Sequence, residues 1–225
     1  MFTLIDQQAH FIVINKAAGI NFHDEDELGQ GLFNLVKKQL QLAELYPVHR
    51  LDKMTSGLVI MAKDLQTAQL FQQKFCQHSV DKYYLAISDQ KPKKKQGLIK
   101  GDMAKSRRGS YKLLRSLENP AITQFFSYSL GQGRRLYLLK PHSGKTHQLR
   151  VALNSLSAPI LGDTLYSGSK ADRGYLHAYA VNFNIYNQQY QYLCMPDNGE
   201  QFMSNESQTV IKELSTPWQL NWPSL

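Results

Sequence analysis

Two strand-like runs, Phe125 to Leu130 and Arg134 to Lys140, flank Gly131-Gln132-Gly133. A short glycine-bearing break between such runs predicts a β-hairpin, and an antiparallel hairpin is the feature that most restricts the architecture. Further strands are predicted from Phe11 to Asn15, Leu58 to Ala62, Lys82 to Ile87, Tyr175 to Ile185 and Tyr190 to Met195. Apolar residues at helical spacing predict helices over 32–42, 65–77, 145–156 and 208–214. Asp64 is the N-cap expected for the second of these, with Ala68, Leu70, Phe71 and Phe75 turned inward. The elements do not alternate with a regular βαβ rhythm. The expected fold is therefore mixed α/β (α+β), a largely antiparallel sheet with flanking helices.

At 225 residues the chain suits one sizeable core, read as a single domain over 1–225 with a basic loop or hairpin insertion at about 89–115 and no separate N-terminal domain. No apolar run approaches the ~20 residues that span a bilayer, so no membrane partner is expected. Met1 to Asn15 has neither the basic start nor the small-residue cleavage site of a signal peptide. Cys76 and Cys194 are far apart and lack metal-site spacing. They read as buried fillers in a reduced, cytoplasmic protein.

Charge is unevenly spread. The net charge is +8, and residues 82–115 hold 11 lysines and arginines against two aspartates, leaving 15 basic and 16 acidic groups for the rest. Lys91, Lys93, Lys94, Lys95, Lys105, Arg107, Arg108, Lys112 and Arg115 carry the excess. A patch so concentrated is an electrostatic footprint for a polyanion, although a solvated loop would have the same composition. Tyr83, Tyr84 and Tyr111 lie among these cations and favour nucleic acid, since tyrosine stacks on unpaired bases.

The chemistry concentrates in His49-Arg50-Leu51-Asp52-Lys53-Met54-Thr55-Ser56-Gly57. Arg50 and Lys53 flank Asp52 and favour its ionised form, and the small-residue turn leads straight into an apolar strand. A carboxylate placed this way suits nucleophilic or acid–base work. Other motifs fail. Gly144-Lys145-Thr146 ends like a phosphate-binding loop, but Leu139 stands where that loop needs glycine. Gly131 and Gly133 lack the third glycine of a dinucleotide fingerprint, since position 136 is Leu136. No histidine pair has zinc-site spacing, and there is no Gly-x-Ser-x-Gly elbow.

Three stretches fall in a shared order: His49-Arg50-Leu51-Asp52, Lys82-Tyr83-Tyr84-Leu85-Ala86, and His142 to Arg150 continued by Ala158-Pro159-Ile160-Leu161-Gly162-Asp163. With Asn15-Lys16-Ala17-Ala18-Gly19 before them and Leu176-His177-Ala178 after, they resemble the RluA-type pseudouridine synthases over residues 10 to 185. The resemblance implies that Asp52 is the catalytic aspartate and that Arg50 helps evict the target uridine. It implies that Tyr84 stacks on the base and that Arg150 pairs with the aspartate. Strand alternation puts Tyr83 and Tyr84 on opposite faces, so only one of them enters the site. RNA, either rRNA or tRNA, is the implied partner of a monomer that needs no cofactor and no metal. Arg50, Lys93, Lys94, Lys95, Lys105, Arg107, Arg108 and Lys145 are the expected RNA contacts. Lys145 stands where arginine is usual and Ala17 where proline is usual, departures that bear on substrate choice. Gly57 and Gly144 are expected to be backbone requirements, and His49 and His147 to be scaffolding. Two other readings are a catalytically silent RNA-binding chaperone and a glycoside-type hydrolase. The hydrolase needs a second acidic group, and Asp64 and Asp163 have no motif support for that role.

Overall fold

Two adjacent strands are buried on both faces, and the molecule is layered around them. In the computed structural model, which describes residues 1–24, 31–92 and 94–225, these are β2 (Phe11–Lys16) and β4 (Ser56–Ala62). Their alternating side chains feed two cores. Phe11, Val13, Leu58 and Ile60 face α2 (Leu65–Cys76), while Ile12, Ile14, Val59 and Met61 face α1 (Leu32–Gln39). A strand covered on both sides must be apolar at every position, which explains the unbroken hydrophobic runs.

The remaining elements in chain order are β1 (Phe2–Gln7), β3 (Tyr46–Pro47), β5 (Val80–Ser88), β6 (Gln96–Gly101), β7 (Met103–Lys105), β8 (Tyr111–Leu113), β9 (Ala121–Gly131), β10 (Arg134–Pro141), α3 (Gln148–Ser155), β11 (Leu176–Ile185), β12 (Gln188–Leu193), α4 (Glu200–Met203) and α5 (Asn205–Glu213). Among the described residues, ten strands form one sheet in the order β1-β2-β4-β11-β5-β10-β9-β6, with β12 beside β11 and β3 beside β4. The pairings are antiparallel, as expected, except for a short parallel contact of His177 and Ala178 on β11 with Ser56 and Gly57 on β4. β7 and β8 form a separate two-stranded hairpin. A third core, including Tyr83, Leu85, Tyr137, Leu149, Leu153, Phe202 and Ile211, joins the middle of the sheet to α3 and α5. Among the described residues no helix is long and apolar enough to cross a membrane.

The hairpin around 131–133, the Asp64 cap, whose carboxylate accepts from the Thr67 amide at 2.7 Å, and the central strands stand as expected. Several boundaries move for local reasons. α3 begins at Gln148, not at position 145, because His147 adopts a left-handed φ of 58° that interrupts the helix. The Gln148 side chain then accepts from Ser143 Oγ at 2.7 Å and from the Lys145 amide at 3.1 Å, tying the preceding turn. Part of the basic segment is not a free loop: β6 pairs along β9 from Gln96 to Gly101. On α2, Phe71 and Thr67 are fully buried, whereas Ala68, Leu70 and Phe75 are only partly covered. Cys194 is buried, but Cys76 is exposed at the end of α2 and is no filler.

The parallel contact explains one glycine and dismisses another. Gly57 has φ +107°, and a Cβ there would lie 2.2 Å from the Ala178 carbonyl oxygen. Gly144, by contrast, has open space around its missing side chain. Gly57→Ala is expected to lower stability by ~2 kcal/mol or more in urea unfolding, from both the left-handed backbone and the clash. Gly144→Ala should stay within ~0.5 kcal/mol of the parent protein.

Candidate active site

Asp52 sits in the loop that leads into β4, and a buried lysine organises that loop. Lys16, at the end of β2, is wholly inaccessible. Its ammonium donates to the carbonyls of Thr55 (2.8 Å), Ala17 (3.0 Å), Lys53 (3.2 Å) and Asp52 (3.4 Å). Burial, with some help from Arg173, pushes this amine down to about 8. The Gly19 amide adds a bond to the Lys53 carbonyl at 2.7 Å, and the Thr55 amide closes the turn onto the Asp52 carbonyl at 3.0 Å. The main chain around Asp52 is therefore tied to the Asn15–Gly19 stretch before any side chain of the loop acts.

Two histidines brace the same loop. The Ile60 amide donates to His49 Nε2 at 2.9 Å, so that nitrogen carries no proton; burial, then Lys82, holds the ring down at about 3. His177 on β11 donates from Nε2 to the Cys194 carbonyl at 2.8 Å and accepts from Ser56 Oγ at 2.7 Å. Ser56 Oγ in turn accepts from Arg173 at 2.6 Å. Burial brings His177 down to about 4, leaving it neutral. Both rings are scaffolding: each is committed to hydrogen bonds inside the fold.

The loop opens onto a cleft of about 360 Å³ that brings together Arg50, Asp52, Lys82, Tyr84, Lys145 and Arg150. Tyr84, half-buried on central strand β5, faces this cleft. Burial first, and then the Asp52 charge, push its phenol well above the usual range, so the hydroxyl keeps its proton. Tyr83 is fully buried on the other face, between Trp218 and Trp222, with Lys140 Nζ 5.4 Å from its ring centre. The alternation therefore separates the two tyrosines, and Tyr83 cannot stack on RNA.

Arg150, on α3, is shared unequally between two carboxylates. Its Nε and Nη2 reach Asp163 at 2.7 and 2.8 Å in a bidentate fork, while Nη1 lies 3.4 Å from Asp52 Oδ2. The first pair are strong charge-assisted bonds and the third is at the edge of bonding range. Burial works against the guanidinium charge, but the bond to Asp163 outweighs it and holds the group above its ordinary value. Asp163 is nearly inaccessible and lies outside the cleft lining, so it orients Arg150 without facing a ligand. Asp52 keeps 27% side-chain exposure, and among the described residues its Oδ1 has no protein partner. One carboxylate oxygen is thus held towards Arg150, the other has no protein partner among the described residues, and the side chain lines the cleft. A second cleft of about 600 Å³ opens on the far side of Asp52, sharing Arg50, His147 and Arg150 and adding Phe22, Lys53 and Arg173.

The basic residues are less convergent. Arg50 lines both clefts and Lys145 the first. Lys94 and Lys95 are exposed just before and beside β6, and Lys105, Arg107 and Arg108 are exposed at the tip of the β7–β8 hairpin. Lys93 lies outside the described residues. Tyr111 is half-buried, its ring edge-on to His147 at 5.6 Å, so it braces the hairpin more than it offers a stacking face. Lys16, Asp163, Tyr166 and Arg173 were given no role from the sequence. Each lies in or beside a stretch that carried the resemblance, but only tertiary contacts reveal what it holds. Among the described residues no group of acidic, histidine and cysteine side chains could hold a metal.

Residues 10–155 match the family described as RNA pseudouridylate synthase. A protein of Haemophilus influenzae named "Uncharacterized RNA pseudouridine synthase" is 50% identical over 199 residues, covering 88% of each chain. "Ribosomal large subunit pseudouridine synthase C" of Rickettsia bellii is 33% identical, covering 74% of this chain but 57% of its own length. Among solved structures, human RNA pseudouridylate synthase domain containing 1 superposes with a TM-score of 0.72 at 22% identity, over 88% of this chain and 84% of that one. The chain belongs to the RNA pseudouridylate synthase family, and its fold is that of pseudouridine synthases.

Removing the charge of Asp163 should be costly although it touches no ligand. Asp163→Asn replaces the charged two-oxygen fork with one neutral acceptor and leaves the buried guanidinium without its close counter-charge, so a loss of ~3 kcal/mol in urea unfolding is expected, with a drop in turnover.

Proposed function

We propose that this isomerase converts specific uridines to pseudouridine in structured RNA, rRNA or tRNA, with Asp52 as the catalytic group. The observation that carries this reading is a partly exposed carboxylate, one oxygen beside Arg150, that lines a cleft together with Tyr84. The reaction breaks the N1–C1′ bond of uridine, turns the freed base and rejoins it through C5. Substrate and product are isomers, so no redox or group-transfer partner enters the balance.

Asp52 acts either as nucleophile at the substrate or as the base that removes a sugar proton. Arg150 keeps it aimed in both cases. The ring of Tyr84 holds the detached uracil by stacking, and its hydroxyl, which retains its proton, sits beside the base. A target atom inside stacked RNA is out of reach, so the nucleotide must flip into the cleft at a cost of a few kcal/mol. Arg50, between the two clefts, is placed to fill the gap left behind. Phosphate contacts from Lys94, Lys95, Lys105, Arg107, Arg108 and Lys145 offset that cost. The two unpaired cysteines accord with a protein working in the reducing cytoplasm.

Two measurements test the reading. Pseudouridine mapped across total RNA from cells lacking the gene, then re-supplied with protein, should show at least one position restored by the parent protein and none by Asp52→Asn, with RNA affinity kept within a few-fold. Restoration by Asp52→Asn would remove Asp52 from catalysis, and no restored position by either would leave a silent RNA binder. Separately, neutralising Lys94, Lys95, Arg107 and Arg108 should weaken binding and reduce the slope of log affinity against log salt by up to about 3.

A further inference from the structure

The basic hairpin and the catalytic arginine meet at one side chain. Tyr166 is 3% exposed and lies in a short 3-10 turn over 164–166, directly after Asp163. Its ring lies under Arg150, with the guanidinium carbon 4.9 Å from the ring centre. Its hydroxyl oxygen accepts from the Tyr111 amide at 2.9 Å and lies 2.9 Å from His147 Nδ1. With the amide occupying the oxygen as acceptor, the phenol proton is free to be given to His147 Nδ1. His147 is the left-handed residue that caps the start of α3, three positions before Arg150.

On the other side of this contact, Tyr111 begins β8 and pairs with Lys105 on β7. Lys105, Arg107 and Arg108 are exposed at the hairpin tip, and the root is tied by Asp102, whose amide donates to the Ser116 carbonyl at 2.9 Å while its own carbonyl accepts from Leu114 at 2.7 Å. Between root and tip, the Tyr111 amide is the hydrogen bond that fastens the arm to the wall of the active site.

We propose that Tyr166 is a positioning residue that couples RNA capture by the β7–β8 hairpin to the placement of Arg150. The inference rests on the pseudouridine synthase reading and deepens it. The ring supports the face of the guanidinium whose edge is forked on Asp163, while the hydroxyl holds the hairpin and the cap residue of α3. An RNA strand gripped by Arg107 and Arg108 therefore bears on the same side chain that keeps Arg150 beside Asp52. The two halves are chemically separable: phenylalanine retains the ring and loses the link to the hairpin, while leucine loses both.

The test uses the full-length protein. In hydrogen exchange, the Tyr111 amide should exchange at least about ten-fold faster in Tyr166→Phe than in the parent protein. The activity probe is total RNA from cells lacking the gene, with pseudouridine formation followed in single turnover. Tyr166→Phe should raise the RNA concentration for half-maximal rate about three- to ten-fold while the maximal rate falls by less. Tyr166→Leu should lower the maximal rate itself by about ten-fold or more. Unchanged protection of the Tyr111 amide in Tyr166→Phe overturns the proposal, as does a loss in which both variants change rate and half-saturation in the same ratio. If Tyr166→Leu does not fold, the phenylalanine variant alone decides. If the parent protein forms no pseudouridine in that RNA, the functional reading falls, and Tyr111 exchange with RNA affinity decides the coupling.

Discussion

One guanidinium holds the site together. Arg150 places two short bonds on Asp163 and a long one on Asp52, so its position is set by the carboxylate that does no chemistry. This division of labour is sound on physical grounds. A buried arginine forked on Asp52 would occupy both oxygens of the group proposed to react. Anchored elsewhere, it lends its field to Asp52 and leaves one oxygen uncommitted. Lys16 completes the arrangement from beneath by gathering four carbonyls of the surrounding main chain, so the loop is shaped by its backbone and the reactive side chain is left free.

What could be read from the sequence follows from how local each signal is. The middles of β2 and β4, Phe11 to Ile14 and Leu58 to Ala62, are unbroken apolar runs because both faces are covered, and such runs stand out in any composition window. The Tyr83 and Tyr84 assignment followed from the two-residue period of a strand and needs no tertiary knowledge. β1 and β6 escaped because edge strands with one neighbour tolerate polar residues: all six positions of β1 are exposed or half-exposed, and β6 begins Gln-Gly. Asp52, Tyr84 and Arg150 were marked by contiguous motifs. Their supports were not, because burial of Lys16 or the grip of Asp163 on Arg150 exists only once distant segments pack. Glycine shows the same limit. Gly57 and Gly144 look alike in sequence, yet only the first has a neighbouring strand pressed against it.

Charge and chemistry are kept apart in this molecule. Exposed cations cluster just before and on β6 and along the β7–β8 hairpin, while Arg150, the cation that meets Asp52, is buried and already paired with Asp163. Surface lysines and arginines hold a polyanion with little demand on geometry, whereas the cleft needs fixed distances. The separation means that affinity can vary along the hairpin without disturbing the reacting groups, provided the arm stays fastened to the wall of the cleft. That fastening passes through the Tyr111 amide and Tyr166, which sit where the two regions touch.

The brief parallel contact between β4 and β11 carries a consequence for biosynthesis. It joins Ser56 and Gly57 to His177 and Ala178, more than a hundred residues downstream, and the Arg150 fork lies between. Contacts this distant along the chain raise contact order and close late. A growing polypeptide that has already exposed Asp52 still lacks the pieces that hold it in place until most of its length has been translated. On the proposed reading, the amino-terminal half by itself lacks the Arg150 and Asp163 side chains that aim Asp52.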